Sequence, residues 1–494
     1  MILWRRGAPD RRRREELEAW EEVRVTSTAG WRALDRAISG DVILPDSREF
    51  DIGYPALNAR FDDVRPQAVV RCRSSEDVAE TIRFAHGAGM EVATRNGGHC
   101  FGGRSSTKGL LVDVTPLRSV EISAGTVTVG GGTRLGEVYG SLLEQDLAIP
   151  GGSCPSVGIA GLALGGGLGI IGRKHGLTSD HLVRAQIVLA DGRALECEEH
   201  REEDLFWALR GAGAGNFGVV TSLTFRTIAA PAATNFHLAW PFSKAAAVID
   251  AWQSWAPTAP DELAASLLIG ASAEPEDPPS VGVFGVMLGT EPDTAELVDE
   301  LVTRMGSDPD SAFRKHMSFR QTTRYWGERA ARERVEGEPP GWELRGHRFI
   351  KSEFFQRPIS AEAIGALLEN FRNGRAREQT RELDFSPWGS GYNRMSADAT
   401  AFVHRDALFW LKHATEVQPS ASTAEKDAAH DWVTRSWATV HPWGTGRVFP
   451  NFPDPDLQDW ASAYFGTNLD RLLRVKARYD PGNLFRFRQS LPVH

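Results

Sequence analysis

Between Pro66 and Arg226 the apolar positions come in short runs broken by glycine and polar turns, the pattern of strands alternating with a few amphipathic helices. Ala68-Val-Val-Arg-Cys72 reads as a strand, and Ser74 followed by Asp77 makes a capping box for the helix behind it. Val78, Ile82 and Ala85 recur at helical spacing until Gly89 stops the helix. Glu91–Thr94, Leu110–Val114 and Thr126–Val129 are further strands, and Leu135–Leu143 and Glu202–Leu209 further helices. Leu182–Ala190 and Arg193–Cys197 flank Asp191-Gly192, a dipeptide suited to a tight hairpin. A short helix is expected near Arg12–Val23. After Ala229-Ala-Pro231 the chain turns rich in tryptophan, with strands at Ser266–Ile269 and Val281–Met287 between helical stretches.

A chain of 494 residues is too long for one ordinary core, so two large lobes are expected. The net charge of -9 argues against a nucleic-acid partner. No apolar run approaches the ~20 residues of a membrane span. Arg5-Arg6 and Arg11–Arg14 are followed by Glu15, Glu16 and Glu18 rather than by an apolar stretch, which gives no secretion signal and a cytoplasmic expectation. Cys72, Cys100, Cys154 and Cys197 are too few for a disulfide scaffold and match no zinc spacing. Cys72 and Cys197 sit in strand-like runs and read as small core residues. A small-molecule substrate and a monomer or homodimer are expected.

The chemistry concentrates in glycine-rich loops, where the backbone reaches positive φ and lies close to a ligand. Arg95-Asn-Gly-Gly-His99-Cys-Phe-Gly-Gly-Arg-Ser105 centres on a histidine, and Gly151-Gly-Ser-Cys154-Pro-Ser-Val-Gly158 on a cysteine. A third loop is Arg210-Gly-Ala-Gly-Ala-Gly-Asn-Phe-Gly-Val-Val220. The run Gly167-x-Gly169-x-x-Gly172 has the spacing of a dinucleotide fingerprint but lacks a strand directly before it, so a classical NAD site is rejected.

With these loops, and with Phe449-Pro-Asn-Phe-Pro-Asp454, Tyr464-Phe-Gly466, Arg474-Val-Lys476, Asp480-Pro-Gly-Asn483 and Gln489-Ser-Leu-Pro492, the chain resembles the berberine-bridge-enzyme-like flavoproteins of the vanillyl-alcohol-oxidase, or PCMH-type, superfamily. The resemblance runs in order over residues 50–494. It implies an α+β fold with an N-terminal extension at 1–61, a PCMH-type FAD lobe at 62–230, an antiparallel-sheet substrate lobe backed by helices at 231–440, and a segment at 441–494 that returns to the FAD lobe. It also implies FAD bound covalently through His99, to the 8α-methyl, and Cys154, to ring carbon C6. Cys100 is the alternative thiol, poorly placed beside His99. Around the flavin the resemblance places Arg95, Asn96, Gly97, Gly98, Gly102, Gly103 and Ser105 of the first loop. From the second region come Gly151, Gly152, Ser153, Val157, Gly158 and Gly161. Gly215, Asn216, Gly218 and Val219 approach the adenosine half, and Asn451 comes from the C-terminal segment. Val157 aligns with an oxygen-gating position and resembles the oxidases there; ordinary packing is its other reading.

The chain departs from the family at the base. Many members carry tyrosine where this chain has Phe101, and again where Asn451 is followed by Phe452; Phe449, Ser386 and Trp388 offer no substitute. Phenylalanine accepts no proton. His175, Tyr392 and His404 remain as catalytic candidates, His175 first because imidazole titrates near neutral pH. The implied activity is hydride transfer from an apolar or aromatic small molecule to FAD, in secondary metabolism, with molecular oxygen as acceptor and hydrogen peroxide as product. Carbohydrate or alcohol oxidation is one alternative, and a redox-neutral cyclase using the flavoprotein pocket as scaffold is another.

Overall fold

The computed structural model describes residues 27–332 and 345–493; the helix expected near Arg12–Val23 lies outside them. Ala68–Arg71, Leu110–Asp113 and Val92–Arg95 form a parallel core, edged by the antiparallel Asp41–Ile43. Ala68, Val69, Val70, Leu110 and Val112 are fully buried, as strands covered on both faces require. The first crossover carries the helix Ser75–Gly87, whose Val78, Ile82 and Ala85 are fully buried. Its capping box is only half formed. Ser74 Oγ accepts from Asp77 N at 3.1 Å, but the Asp77 carboxylate accepts instead from the amides of Ser39 and Arg73, each at 2.8 Å. The second crossover, from Val92–Arg95 to Leu110–Asp113, carries no helix and is the histidine loop itself.

Beside this sheet stands a five-stranded antiparallel one, ordered Val120–Ser123, Thr126–Gly130, Val219–Arg226, Leu182–Val188, Ala194–Glu198. The expected hairpin is present, with Gly192 at φ 75°. Cys72 and Cys197 are both fully buried in these cores.

The chain then builds seven antiparallel strands in the order Ser311–Met317, Ala233–Pro241, Ser280–Met287, Leu263–Ala271, Gln379–Pro387, Phe409–Val417, His347–Phe355. Strict alternation gives this sheet two different faces. Leu263, Ala265, Leu267 and Ile269 share one face with Leu383, Phe385 and Leu411. They pack on the helices Ala245–Trp255, Glu291–Met305, Ala361–Arg372 and Thr423–Val440. The opposite face carries Phe354, Glu382, Asp384, Ser386, Trp410 and Lys412, and Trp410 and Lys412 meet Phe452 of the C-terminal segment.

The C-terminal segment returns to the first lobe. Lys476 and Asp480, on and just after the helix Leu469–Tyr479, form a fully buried ion pair at 2.6 Å. Lys476 Nζ also donates to Asn216 O and Phe485 O, while Asp480 accepts from the amides of Leu484 and Phe485. Among the described residues no helix is long and apolar enough to cross a membrane, and no acidic, histidine and cysteine groups cluster to hold a metal ion. Removing one partner of a buried pair strands the other charge. Lys476→Met is therefore expected to destabilise the protein by about 3–5 kcal/mol, read as a lowered denaturation midpoint at unchanged m-value.

Candidate active site

The histidine and cysteine loops come from separate elements and touch main chain to main chain. A Cβ on Gly97 would lie 2.5 Å from Ser156 O and 2.7 Å from Gly158 N, and one on Gly158 would lie 2.5 Å from Asn96 Nδ2. Only glycine permits this approach. Asn96 Nδ2 donates to Gly131 O and Thr133 O at 2.8 and 3.1 Å, which pins the first loop to the second sheet. Arg95 closes the same loop by donating through Nε and Nη2 to Ser105 O. As a result His99 Nε2 lies 2.9 Å from Ser156 Oγ, and Cys154 Sγ lies 3.4 Å from that same oxygen. Two nucleophilic side chains distant in sequence thus share one hydroxyl. Burial, then Arg348 and Arg134, push the His99 imidazole down to about 4, so near neutral pH it is an uncharged nucleophile.

The other loop residues have distinct surroundings. Gly98 and Gly103 both sit at φ 71°, Gly102 faces Pro453, and Gly103 faces Phe61. Gly151 and Gly152 lie against Tyr139, whose hydroxyl donates to Gly152 O at 2.8 Å. With Ser153 they line a cleft of about 290 Å³ that also includes Phe319 and Trp326. Val157 is partly buried against the neighbouring core, and Gly161 faces open space. Gly215, at φ 85°, lies near Phe487, Gly218 packs on Val188 O, and Val219 pairs with Val188 in the sheet. Asn216 Oδ1 accepts from Leu491 N, so the third loop is held by the C-terminal segment. Asn451 bridges in the same way, accepting from Gly167 N and donating to Gly161 O. Asn96 Oδ1 and Ser105 Oγ are buried without a hydrogen-bond partner among the described residues. Buried polar atoms of this kind require a partner, and a dinucleotide with many donors and acceptors supplies one. The loops fit FAD.

The expected bases fall in three different environments. Tyr392 is 1% exposed, stacks on Trp388 and donates its hydroxyl to Gly169 O at 2.9 Å; burial raises its pKa. His404 is equally buried, stacked on Phe354 at 4.6 Å, and burial pushes it down to about 3. Both are packing groups of the interior. His175 is half-buried, and burial followed by His181, Lys174 and Arg394 lowers it to about 4. Tyr392 and His404 flank one indole: Tyr392 stacks on Trp388 at 4.5 Å, and Trp388 Nε1 donates to His404 O at 3.1 Å.

A fourth acid–base group lies where the sequence reading did not look. Lys412 Nζ contacts Glu382 Oε1 at 2.6 Å and Asp384 Oδ2 at 3.0 Å, and sits 5.7 Å from the centre of the Phe452 ring. Phe452 stacks on Phe101 at 5.5 Å, two positions from His99. The carboxyl of Asp384 is pushed up by burial, with Lys412 opposing and Glu382 adding to the shift. Burial works against the Lys412 charge, but Glu382 and Asp384 outweigh it, so Lys412 stays protonated. The available signal was the period of two in Glu382, Asp384 and Ser386, which puts all three on one face of a strand.

Comparison with known proteins places the chain in a family. The family model described as an FAD binding domain matches residues 66–198, and the one described as berberine and berberine-like matches residues 448–492. The uncharacterized FAD-linked oxidoreductase YvdP of Bacillus subtilis is 30% identical over 438 residues, covering 87% of this chain and 93% of its own. The structure of BBE-like 1 from Physcomitrella patens superposes with a TM-score of 0.83 at 26% identity, over 94% of this chain and 99% of its own. Glucooligosaccharide oxidase from Acremonium strictum, described with a 6-S-cysteinyl, 8α-N1-histidyl FAD, superposes with a TM-score of 0.83 at 25% identity, over 94% of this chain and 100% of its own. The chain belongs to the berberine-bridge-enzyme-like family of FAD-linked oxidoreductases.

Proposed function

We propose that the protein is an oxidase whose FAD is bound twice, by His99 at the 8α-methyl and by Cys154 at ring carbon C6. The observation that carries this reading is the meeting of both side chains on Ser156 Oγ, at 2.9 and 3.4 Å. Glucooligosaccharide oxidase carries the same pair of linkages. Bound FAD would accept hydride from the substrate and pass the electrons to molecular oxygen, giving hydrogen peroxide.

The chain's own residues form the other wall. Phe101 and Phe452 stack at 5.5 Å between the histidine loop and the seven-stranded sheet, backed by the buried rings of Trp410 and Phe449. Such a wall orients an apolar or aromatic small molecule and excludes water from the transfer. Asp384 is the group suited to take the proton, because its raised pKa brings it closer to the operating pH and Lys412 steadies the carboxylate. Phe452 accepts no proton and only closes the wall. A hydroxylated carbohydrate is the second reading, favoured by the charged patch Glu382, Asp384 and Lys412 beside those rings.

Acid precipitation should leave the yellow colour in the pellet, with intact mass raised by one FAD. His99→Ala and Cys154→Ala should each keep one bond, and only the double variant should release all colour to the supernatant. Peroxide formation across a panel of aromatic alcohols, amines and oligosaccharides identifies the substrate class. With that substrate, Asp384→Asn should lower kcat by about 10²–10⁴. The deprotonated carboxylate is the active form and its pKa is raised, so wild-type kcat/KM should fall with decreasing pH through a midpoint above the ordinary carboxylate range. The same limb should be absent in Asp384→Asn.

A further inference from the structure

Cys154 and Ser156 belong to one tight turn, closed by Val157 N donating to Cys154 O at 3.3 Å with Pro155 at its second position. The turn folds the Ser156 hydroxyl back over the Cys154 sulfur. Gly97 packs against the Ser156 carbonyl from the other side, which brings His99 Nε2 to the same hydroxyl. We propose that Ser156 is the positioning residue for flavin attachment: it orients His99 so that Nδ1 is the bonding nitrogen, and it carries the Nε2 proton away as the bond forms. The inference rests on the covalent reading above.

The proton balance explains why such a group is needed. A neutral imidazole that bonds through Nδ1 while keeping its Nε2 proton becomes an imidazolium. Burial and the nearby Arg348 and Arg134 disfavour that cation here. The Nε2 proton must therefore leave, and Ser156 Oγ is the hydrogen-bond partner of Nε2 among the described residues. In the attachment, one C–H bond of the 8α-methyl and the Nε2–H bond break and the carbon–Nδ1 bond forms. Two protons and two electrons then reside on the ring, and molecular oxygen removes them as hydrogen peroxide. The cysteine step balances likewise, with C6–H and S–H broken and C6–S formed. A hydroxyl within reach of both atoms serves both steps: it accepts the Nε2 proton while releasing its own to solvent, and it donates to the Cys154 thiolate once the S–H proton has left to solvent. The geometry also accounts for the choice of nitrogen, since among the described residues the hydrogen bond of the His99 ring is made at Nε2. That choice corresponds to the N1-histidyl bond of glucooligosaccharide oxidase.

The test compares wild type with Ser156→Thr, which keeps the hydroxyl, and Ser156→Val, which has the same shape without it. Protein produced with limited flavin is mixed with FAD in air, and covalent FAD is followed by intact mass and by colour in the acid pellet between pH 6 and 9. Wild type and Ser156→Thr are expected to attach FAD completely. Ser156→Val is expected to attach it at least about tenfold more slowly, with a rate that rises with pH as hydroxide replaces the lost acceptor. Equal melting temperature and equal reversible FAD binding in Ser156→Thr and Ser156→Val assign the difference to the hydroxyl. Attachment in Ser156→Val at the wild-type rate would overturn the role of Ser156 and leave the covalent reading standing. Dissociable FAD in the wild type would overturn the covalent reading and the role of Ser156 together.

Discussion

The close passage of the histidine loop over the cysteine loop is the constraint from which the rest of the site follows. Gly97 against Ser156 O and Gly158 against Asn96 leave no room for a side chain at either crossing. A methyl group at either point would meet its neighbour at 2.5 Å, well inside ordinary van der Waals contact, so the loops would have to shift apart. The shared contact of His99 and Cys154 with Ser156 would open with them. The first loop can lie there because it replaces the helix usual in a crossover between parallel strands. Asn96 then fastens it to the second sheet and Arg95 to itself. Rigid attachment at both ends suits loops that must present nucleophiles in a set direction.

The seven-stranded sheet supplies the opposing wall, and its two faces divide the labour. Helices cover one face with leucine, phenylalanine and tryptophan, which supplies the burial that holds the lobe together. The other face keeps Asp384, Glu382 and Lys412 beside aromatic rings. The lobes are joined by polar ties through the C-terminal segment. Lys351 pairs with Asp454 at 2.7 Å, close to Phe452, and Lys476 with Asp480 reaches the third glycine loop through Asn216. Buried ion pairs add little net stability but penalise every arrangement that separates them, and here they select one seating of the tail.

Much of the first lobe was legible in the residue pattern. Ala68–Arg71, the helix from Ser75 and the hairpin at Asp191-Gly192 appear where local periodicity and turn chemistry place them. The glycine loops were legible too, because a glycine cluster states its backbone requirement locally. Less legible were groups whose character depends on neighbours distant in sequence. Asp77 has the spacing of a capping-box partner yet turns to Ser39, thirty-eight positions away. Tyr392 and His404 look titratable in sequence, but packing on Trp388 and Phe354 withdraws them into the interior. Asp384 looks like an ordinary exposed strand residue until the sheet register sets Lys412 directly opposite it.

By itself the sequence determined the elements, the cofactor loops and the loss of tyrosine at Phe101 and Phe452. The elements and the glycine loops follow from the conformational range of residues a few positions apart, while the cofactor role of those loops and the missing tyrosines are what the family resemblance implies. The tertiary structure decided which ionisable groups are buried, which are paired, and that His99 and Cys154 meet on a single serine hydroxyl. Those properties depend on strand register, on burial and on two loops crossing at glycine. They come from desolvation and contact between segments that only folding brings together.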